Sequence, residues 1–532
     1  MPAPRLLPAL AALAAVLPVL AAAQDRPSED ELFGAPKKEA PAATPAPEAK
    51  PAPPPAAPPA SGGAARPEEA DLFGAPAATA AAQPPPDEGL VAAARRLEDP
   101  LKIGGQIYLR AVTEWQEGQA PRDWYFASPN LLDLFADVRP NERVRGFVLG
   151  RLSYDPTLAS GQASIASTSP GLYLGGSTAT TLSNPHAILD QLWLNFDVAD
   201  RRAFLTAGRQ HVKWGVGKFW NPTDYLHPVK RDPLAIYDVR PGTSLVKLHI
   251  PWEKRGWNLY GVAVLEDLAG DTTQGVSRLG RIGGGGRAEI VLGTAELGLD
   301  ALVQDGHHPR FGVDLSGGLG DLDLYAEAAL RDGIDGTHWA MGSSPSDLAG
   351  YHRDDPTGFT PQVTLGGSWS VKYSDEDSLT VGAEYFYNAA GYADAHIYPF
   401  LLYGAPALAP TVPPSLVQQD PTAYHPFYLG KHYAGAYLNL PNPGSWNNTT
   451  FTLSVLGNLS DKSFIARLDH SVLILTYLRI ETFVAGHLGT EGGEFRLGFT
   501  VPPGLAAYLP PGVPSSLAAP VLDLGIAARV SL

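Results

Sequence analysis

The chain has 532 residues, 44% of them hydrophobic and 18% charged, with a net charge of −16 and no cysteine. The missing cysteine excludes structural disulfides, zinc–thiolate sites, a thiol nucleophile and a lipid-modified N-terminal cysteine. The acidic balance argues against nucleic acid as a partner. Past the first 23 residues no run reaches the roughly 20 consecutive apolar residues of a membrane helix, so a membrane crossing would have to use strands.

Arg5 and the α-amino group, the apolar stretch 6–20 and Ala21-Ala22-Ala23 before Gln24 supply the three parts of a secretory signal, predicted over residues 1–23. Pro8, Pro18 and the shortness of the apolar run argue against a membrane anchor. Residues 24–100 are rich in alanine and proline and are expected to form a disordered periplasmic linker, because they cannot bury enough apolar surface to offset ordering. Leu32-Phe33-Gly34-Ala35-Pro36 recurs as Leu72-Phe73-Gly74-Ala75-Pro76, each copy behind acidic residues. Leu32, Phe33, Leu72 and Phe73 are therefore candidates for docking a periplasmic protein through two linked contacts. A duplicated linker without a ligand is the other reading.

From residue 101 the texture changes to a period of two. Leu192, Leu194, Phe196 and Val198 alternate with Gln191, Trp193, Asn195 and Asp197. The same rhythm recurs over 322–331, 379–388 and 478–485. Each set shares one face of a strand. Repeated spans of about ten residues predict an all-β, transmembrane antiparallel β-barrel of about 18 strands (14–18 allowed) over residues 101–532, behind the disordered Ala/Pro-rich extension. A soluble sandwich array or a propeller would carry repeats of fixed period, and none occurs past residue 101. Short connectors at 139–142, 199–202 and 375–376 interleave with long ones near 155–187, 213–243, 332–361 and 389–430. Short turns face the periplasm in such barrels, which places both barrel termini there and requires an even strand count. Tyr108, Trp115, Tyr154, Tyr260, Trp369, Tyr373, Tyr385, Tyr387, Tyr433 and Tyr437 are candidates for the interfacial girdles that contact outer-membrane lipids. The run 521–532 keeps Leu522, Leu524, Ile526, Ala528, Val530 and Leu532 on one face. It resembles the closing strand of bacterial outer-membrane barrels, which implies the barrel-assembly machinery as a partner. It departs from that pattern in ending on Leu532 instead of Phe or Trp.

If the apolar set faces lipid, the alternate set faces the lumen. Pore-lining candidates are Arg110, Arg143, Arg145, Arg151, Asp197, Glu327, Arg331, Glu384, Arg479, Glu481 and Arg529. Such charges suit a hydrated pore, or salt-bridged rungs that fill a plugged one. The stretch GRQHVKWGVGKFWNPTDYLHPVKRDP, residues 208–233, follows a strand and adds Arg209, Lys213, Lys218 and Asp224 as constriction candidates. Asn221-Pro222-Thr223-Asp224 has turn chemistry, and Trp214 and Trp220 suit a girdle. The stretch is thus either a turn at the rim or a loop folded inward to set up a transverse field. Gly208-Arg209-Gln210, Trp214-Gly215 and Asn221-Pro222-Thr223-Asp224, together with Gly457-Asn458-Leu459-Ser460-Asp461-Lys462-Ser463, resemble a porin-like group of Gram-negative outer-membrane barrels. That resemblance implies the fold and the location over residues 101–532, and hardly bears on the substrate.

Other apparent sites do not hold together. Gly283–Gly286 runs into Arg287 without a P-loop Lys. His307-His308 cannot both face one metal from a strand. Asp469-His470-Ser471 are consecutive strand positions on opposite faces, unfit for a relay. No cofactor and no metal are implied. The long aromatic loop 389–430 either caps the pore, stacks on sugars or folds over its neighbours at the rim. The leading function is passage of small hydrophilic solutes. Polysaccharide export with the linker docking periplasmic machinery, a non-conducting structural or adhesive barrel, and a lipid-modifying enzyme are the alternatives.

Overall fold

The structure, a computed structural model, describes residues 100–158, 184–227, 230–236, 238–269, 272–335, 338–340, 352–374, 377–404, 426–501, 503 and 515–532. The signal segment and the linker with its two Leu-Phe pairs lie outside the described residues. No helix among the described residues is long and apolar enough to cross a membrane.

The wall is built from β1 (Leu101–Gln116), β2 (Asn130–Asn141), β3 (Val144–Tyr154), β4 (His186–Asp197), β5 (Phe204–Gln210), β6 (Thr243–Trp252), β7 (Trp257–Val264), β8 (Gly283–Leu292) and β9 (Ala295–Val303). It continues with β10 (Arg310–Leu319), β11 (Leu322–Asp332), β12 (Phe359–Lys372), β13 (Ser378–Asn388), β14 (His432–Pro441), β15 (Thr449–Asn458), β16 (Ser463–Ile474), β17 (Leu478–Gly489) and β18 (Pro520–Ser531). Each strand pairs antiparallel with the next. β18 returns to β1 in a register running from Gln106↔Ser531 to Gln116↔Pro520, which closes an 18-strand antiparallel barrel with no free edge. The short strand Tyr125–Ala127 pairs with Val112, Thr113 and Glu114 of β1.

The connections separate by end. One end carries 142–143, 198–203, 253–256, 293–294, 320–321, 373–377, 442–448 and 475–477. The other carries 117–129, 155–185, 211–242, 265–282, 304–309, 333–358, 389–431, 459–462 and 490–519. β1 starts and β18 finishes at the short-turn end. The long connections at 265–282 and 490–519 exceed the set read from composition, and 304–309 and 459–462 are tight turns at the long-loop end.

Alternation sorts the side chains as a barrel in lipid requires. Leu194 is 50% exposed and Ile526 56%, while Glu327 and Glu384 on the opposite phase are 1% and 3% exposed. Tyr154, Trp369, Tyr373 and Tyr385 are exposed on the outside. Tyr108 and Tyr433 are buried, and four of the girdle candidates belong to the interior. Tyr108 donates to Glu481 and Tyr433 to Glu494. Tyr437 meets the ring of Phe219, and Tyr260 shares the register position of buried Arg287. The reason is phase: these tyrosines occupy inward positions of the two-residue repeat, which their residue type does not reveal. At the rim, Ile397, Tyr398, Phe400, Leu401, Leu402 and Leu429 pack on Leu497, with Trp339, Tyr392 and Leu517 against them. The described parts of the 389–431 connection thus fold onto neighbouring loops.

Candidate functional site

The interior is organised by the connection 211–242. It leaves β5 through Gly208, whose φ of +126° is open to glycine, and where a Cβ would fall on the Leu192 carbonyl. Gln210 then turns inward and donates from Nε2 to the carbonyls of Gly208 and Leu245 at 3.4 and 3.3 Å. From there the chain runs along the inner wall instead of lying at the rim. Trp214 and Trp220 are buried inside the barrel, not in a girdle.

Two wall carboxylates hold its first half. Glu327 of β11 accepts the Val216 and Gly217 amides on Oε2 at 2.9 and 3.0 Å, and the Thr223 amide and hydroxyl on Oε1 at 2.6 and 2.8 Å. Glu384 of β13 accepts the Lys218 and Trp220 amides at 2.7 Å each, the Phe219 amide at 3.2 Å and the Tyr325 hydroxyl at 2.7 Å. Residues 216–223 are therefore wound around two carboxyl groups, with consecutive N–H groups converging as in a nest. Thr364 of β12 adds a bond to the Trp220 carbonyl at 3.1 Å, and the Trp220 indole reaches the Phe427 carbonyl at 2.9 Å. Tyr225 donates to the Phe311 carbonyl on β10, and Arg310 returns a bond to the Tyr225 carbonyl at 3.3 Å.

The second half completes a circuit. Arg231 donates to the Lys218 carbonyl at 3.1 Å, and Tyr428 donates to the Arg231 carbonyl at 3.3 Å. Ile236 lines a recess together with Arg467, Glu481 and Phe483 of β16 and β17. Val239 packs on Tyr108, Leu131 and Ala527, and its carbonyl accepts Arg151 of β3 at 2.8 Å. Arg240 bridges Asp224 at 3.1 Å and Asp238 at 2.8 Å, which ties the two halves together. Gly242 then meets Asp190 of β4. The connection is a belt fixed to strands on every side of the barrel.

Most of the pore-lining candidates fall on this inner wall, where Arg145, Arg151, Glu481 and Arg529 form ion pairs. Arg151 forks onto Asp133 at 2.8 and 3.2 Å and reaches Asp190 at 3.3 Å. Arg145 forks onto Asp137 at 2.9 Å. Arg529 pairs with Glu481 at 2.8 Å and stands opposite Arg479 in the register. Arg331 stands opposite Arg310. Arg110 donates Nε to the Pro129 carbonyl at 2.6 Å. Lys213 is exposed on the belt, Lys218 is half-buried and Asp224 is engaged by Arg240. Three candidates lie elsewhere. Asp197 caps the 198–203 turn by accepting the Arg201 amide at 2.8 Å, and Arg143 pairs with exposed Asp200 on that same turn. Arg209 shares the register of outward Leu192 and bends to Glu266 at 3.2 Å. Positions flanking a turn or a positive-φ glycine leave the inward phase, so alternation alone misplaces them.

Tyr325, Thr364 and Arg240 are site residues that sequence reading missed. The inward phase of β11 and β12 carries Tyr325 and Thr364, but their partner is a loop backbone that no side-chain pattern signals. Asp469 points inward beside Arg467, while His470 lies on the other face against Phe451, so the Asp-His-Ser run forms no relay. Among the described residues no three His, Asp or Glu are placed to hold a metal.

A closed barrel with a lipid-type exterior and a charged interior belted by one of its own loops defines a transmembrane β-barrel with porin-like architecture. No family of known proteins matches the sequence, and no curated protein does either. Among solved structures the chain is similar to Pseudomonas putida OprB, at 10% identity and a TM-score of 0.43 over 84% of this chain and 97% of that one. It is also similar to Acinetobacter baumannii OccAB1, at 10% identity and a TM-score of 0.46 over 82% and 97%. Pseudomonas aeruginosa OccK8 (OprE) matches at 10% identity and a TM-score of 0.44 over 82% and 99%. The barrel assignment rests on this chain's own strand pairing.

Proposed function

We propose that this barrel sits in a bacterial outer membrane, with residues 24–100 in the periplasm, and passes small hydrophilic solutes through the space bounded by the 211–242 belt. The observation that supports it is the hold of Glu327 and Glu384 on residues 216–223, continued by contacts to Arg151 and Asp190 on the far wall. A loop fixed along the wall narrows a lumen at a set height and presents chosen side chains to whatever crosses it. Lys213 and Lys218 bring basic charge to that path. The Leu32-Phe33 and Leu72-Phe73 pairs are proposed to dock a periplasmic protein.

Reconstitution of the folded barrel in planar bilayers tests the reading. Discrete ohmic steps are expected, and Lys213→Gln with Lys218→Gln should move the reversal potential toward cations in a salt gradient. Folded barrel that inserts and carries no current would overturn the channel reading.

A further inference from the structure

Between Ile236 of the belt and the wall lies a small recess. Tyr108, Arg110, Arg467, Glu481 and Phe483 line it with Ile236. Both guanidiniums sit on rings that wall this space: Arg467 Cζ is 4.1 Å from the Phe483 centroid, and Arg110 Cζ is 5.1 Å from that of Tyr108. Both arginines are buried, at 2% and 8% exposure.

Their hydrogen bonds are incomplete. Arg467 gives Nε and Nη2 to Asp469 Oδ1 at 2.9 and 2.6 Å, while its buried Nη1 has no partner. Arg110 gives Nε to a carbonyl, and its buried Nη2 has none. Among the described residues no carboxylate forms an ion pair with Arg110. The neighbouring charges are otherwise engaged. Glu481 accepts the Tyr108 hydroxyl on Oε2 at 2.7 Å and its Oε1, which has no hydrogen bond, forms an ion pair with Arg529 at 2.8 Å, while Asp232 of the belt acts on Arg467 and Asp469.

We propose that this recess is a binding site for a small monovalent anion, held between the guanidiniums of Arg110 and Arg467 and covered by Ile236. A water molecule could satisfy the two N–H groups, yet it would leave the Arg110 charge uncompensated away from bulk solvent, which is costly. An anion answers both deficits, with charge-assisted bonds from Arg110 of β1 and Arg467 of β16, which line the same recess. Apart from the two arginines and from Glu481, which is tied to Tyr108 and Arg529, the lining is apolar or aromatic, so the small recess takes a compact ion and excludes a large hydrated one. The site does not depend on conduction: it exists in the folded barrel whether or not solutes cross.

The test uses crystals of the full-length folded barrel soaked in sodium bromide and measured at the bromine edge. The expected result is an anomalous peak within hydrogen-bond reach of Arg110 Nη2 and Arg467 Nη1. That peak should be lost in Arg110→Gln. In solution, the excess chloride line width contributed by folded wild-type barrel should fall in Arg110→Gln, with folding checked by heat-modifiable migration. No bromide peak in the wild type, an ordered water in its place, or an equal peak in Arg110→Gln would overturn the site. The wild-type soak decides the matter even if the variant does not fold. A bromide peak in a barrel that carries no current would remove the channel reading and leave the site standing.

Discussion

Gly215 shows how one position can decide whether the belt seats. Its φ is +84°, and a Cβ there would fall on Asn221 Oδ1, Thr223 Oγ1 and Glu327 Oε2. The Trp214-Gly215 pair that marks the stretch in the sequence is therefore a packing requirement around Glu327, which neither a turn nor an active site would explain. Gly215→Ala is expected to lift residues 214–224 from β11 while the wall stays closed. Limited proteolysis of the folded variant should cut the belt, with heat-modifiable migration retained; a belt as resistant as the wild type would show that the nest tolerates a methyl group. Glu384→Ala removes the acceptor for three consecutive amides. Charge-linked hydrogen bonds contribute roughly 1.5–3 kcal/mol each and leave buried donors behind when lost, so local attachment should weaken by about 3 kcal/mol or more. Open-channel noise and belt proteolysis should both rise. Glu384→Gln, which retains one acceptor oxygen, should fall between the two. The two glutamates were legible as inward charges. Their partners were not, because a backbone N–H has no letter in the sequence, and the Glu327–Thr223 bond spans 104 residues.

At the scale of elements, the 490–519 connection is tied down by Glu494. Its carboxylate accepts the Tyr433 hydroxyl at 2.6 Å, Asn458 Nδ2 at 2.8 Å and the Phe427 amide. Its own amide donates to Asp461 at 2.9 Å, and Asp461 is fixed by Ser463. Asn458, Asp461 and Ser463 all belong to the Gly457–Ser463 stretch that stands out in the sequence, so that motif fastens two loops across a tight turn. Burial, and then the charge of Asp461, push the Glu494 carboxyl up from 4.5 to about 8. The sign follows from linkage. A detached loop titrates near 4.5 and the docked one near 8, so between these values the docked state holds the extra proton. Docking is then strongest below about pH 4.5 and weakens steadily as pH rises to about 8. Hydrogen exchange of the amides of residues 427–430 and 494–497 should speed up over that range beyond the intrinsic base catalysis. Glu494→Gln should flatten this excess; an unchanged slope in the variant would place the titrating group elsewhere.

The whole molecule was the most legible level, because lipid imposes the same two-residue rhythm on every strand. Leu194 and Ile526 were placed outside, and Glu327 and Glu384 inside, by that rhythm alone. The rhythm fails where the chain leaves the wall, which is why the interior belt and the loop core over Tyr398 and Phe400 needed three dimensions. Closure by an even number of strands leaves the start of β1 and the finish of β18 at the short-turn end. If that end faces the periplasm, the belt is entered from the cell surface, and residues 265–282 face outward with the other long loops. The chain contains no cysteine, so single substitutions report their side of the membrane without background. Leu279 is 87% exposed in the 265–282 connection, and Lys254 lies in the 253–256 turn at the other end. Leu279→Cys is expected to react with a membrane-impermeant maleimide in intact cells, and Lys254→Cys only after the outer membrane is opened. The reverse pattern would invert the barrel and make the belt a periplasmic gate. Labelling of both in intact cells would mean that the barrel is not inserted as a closed wall at all.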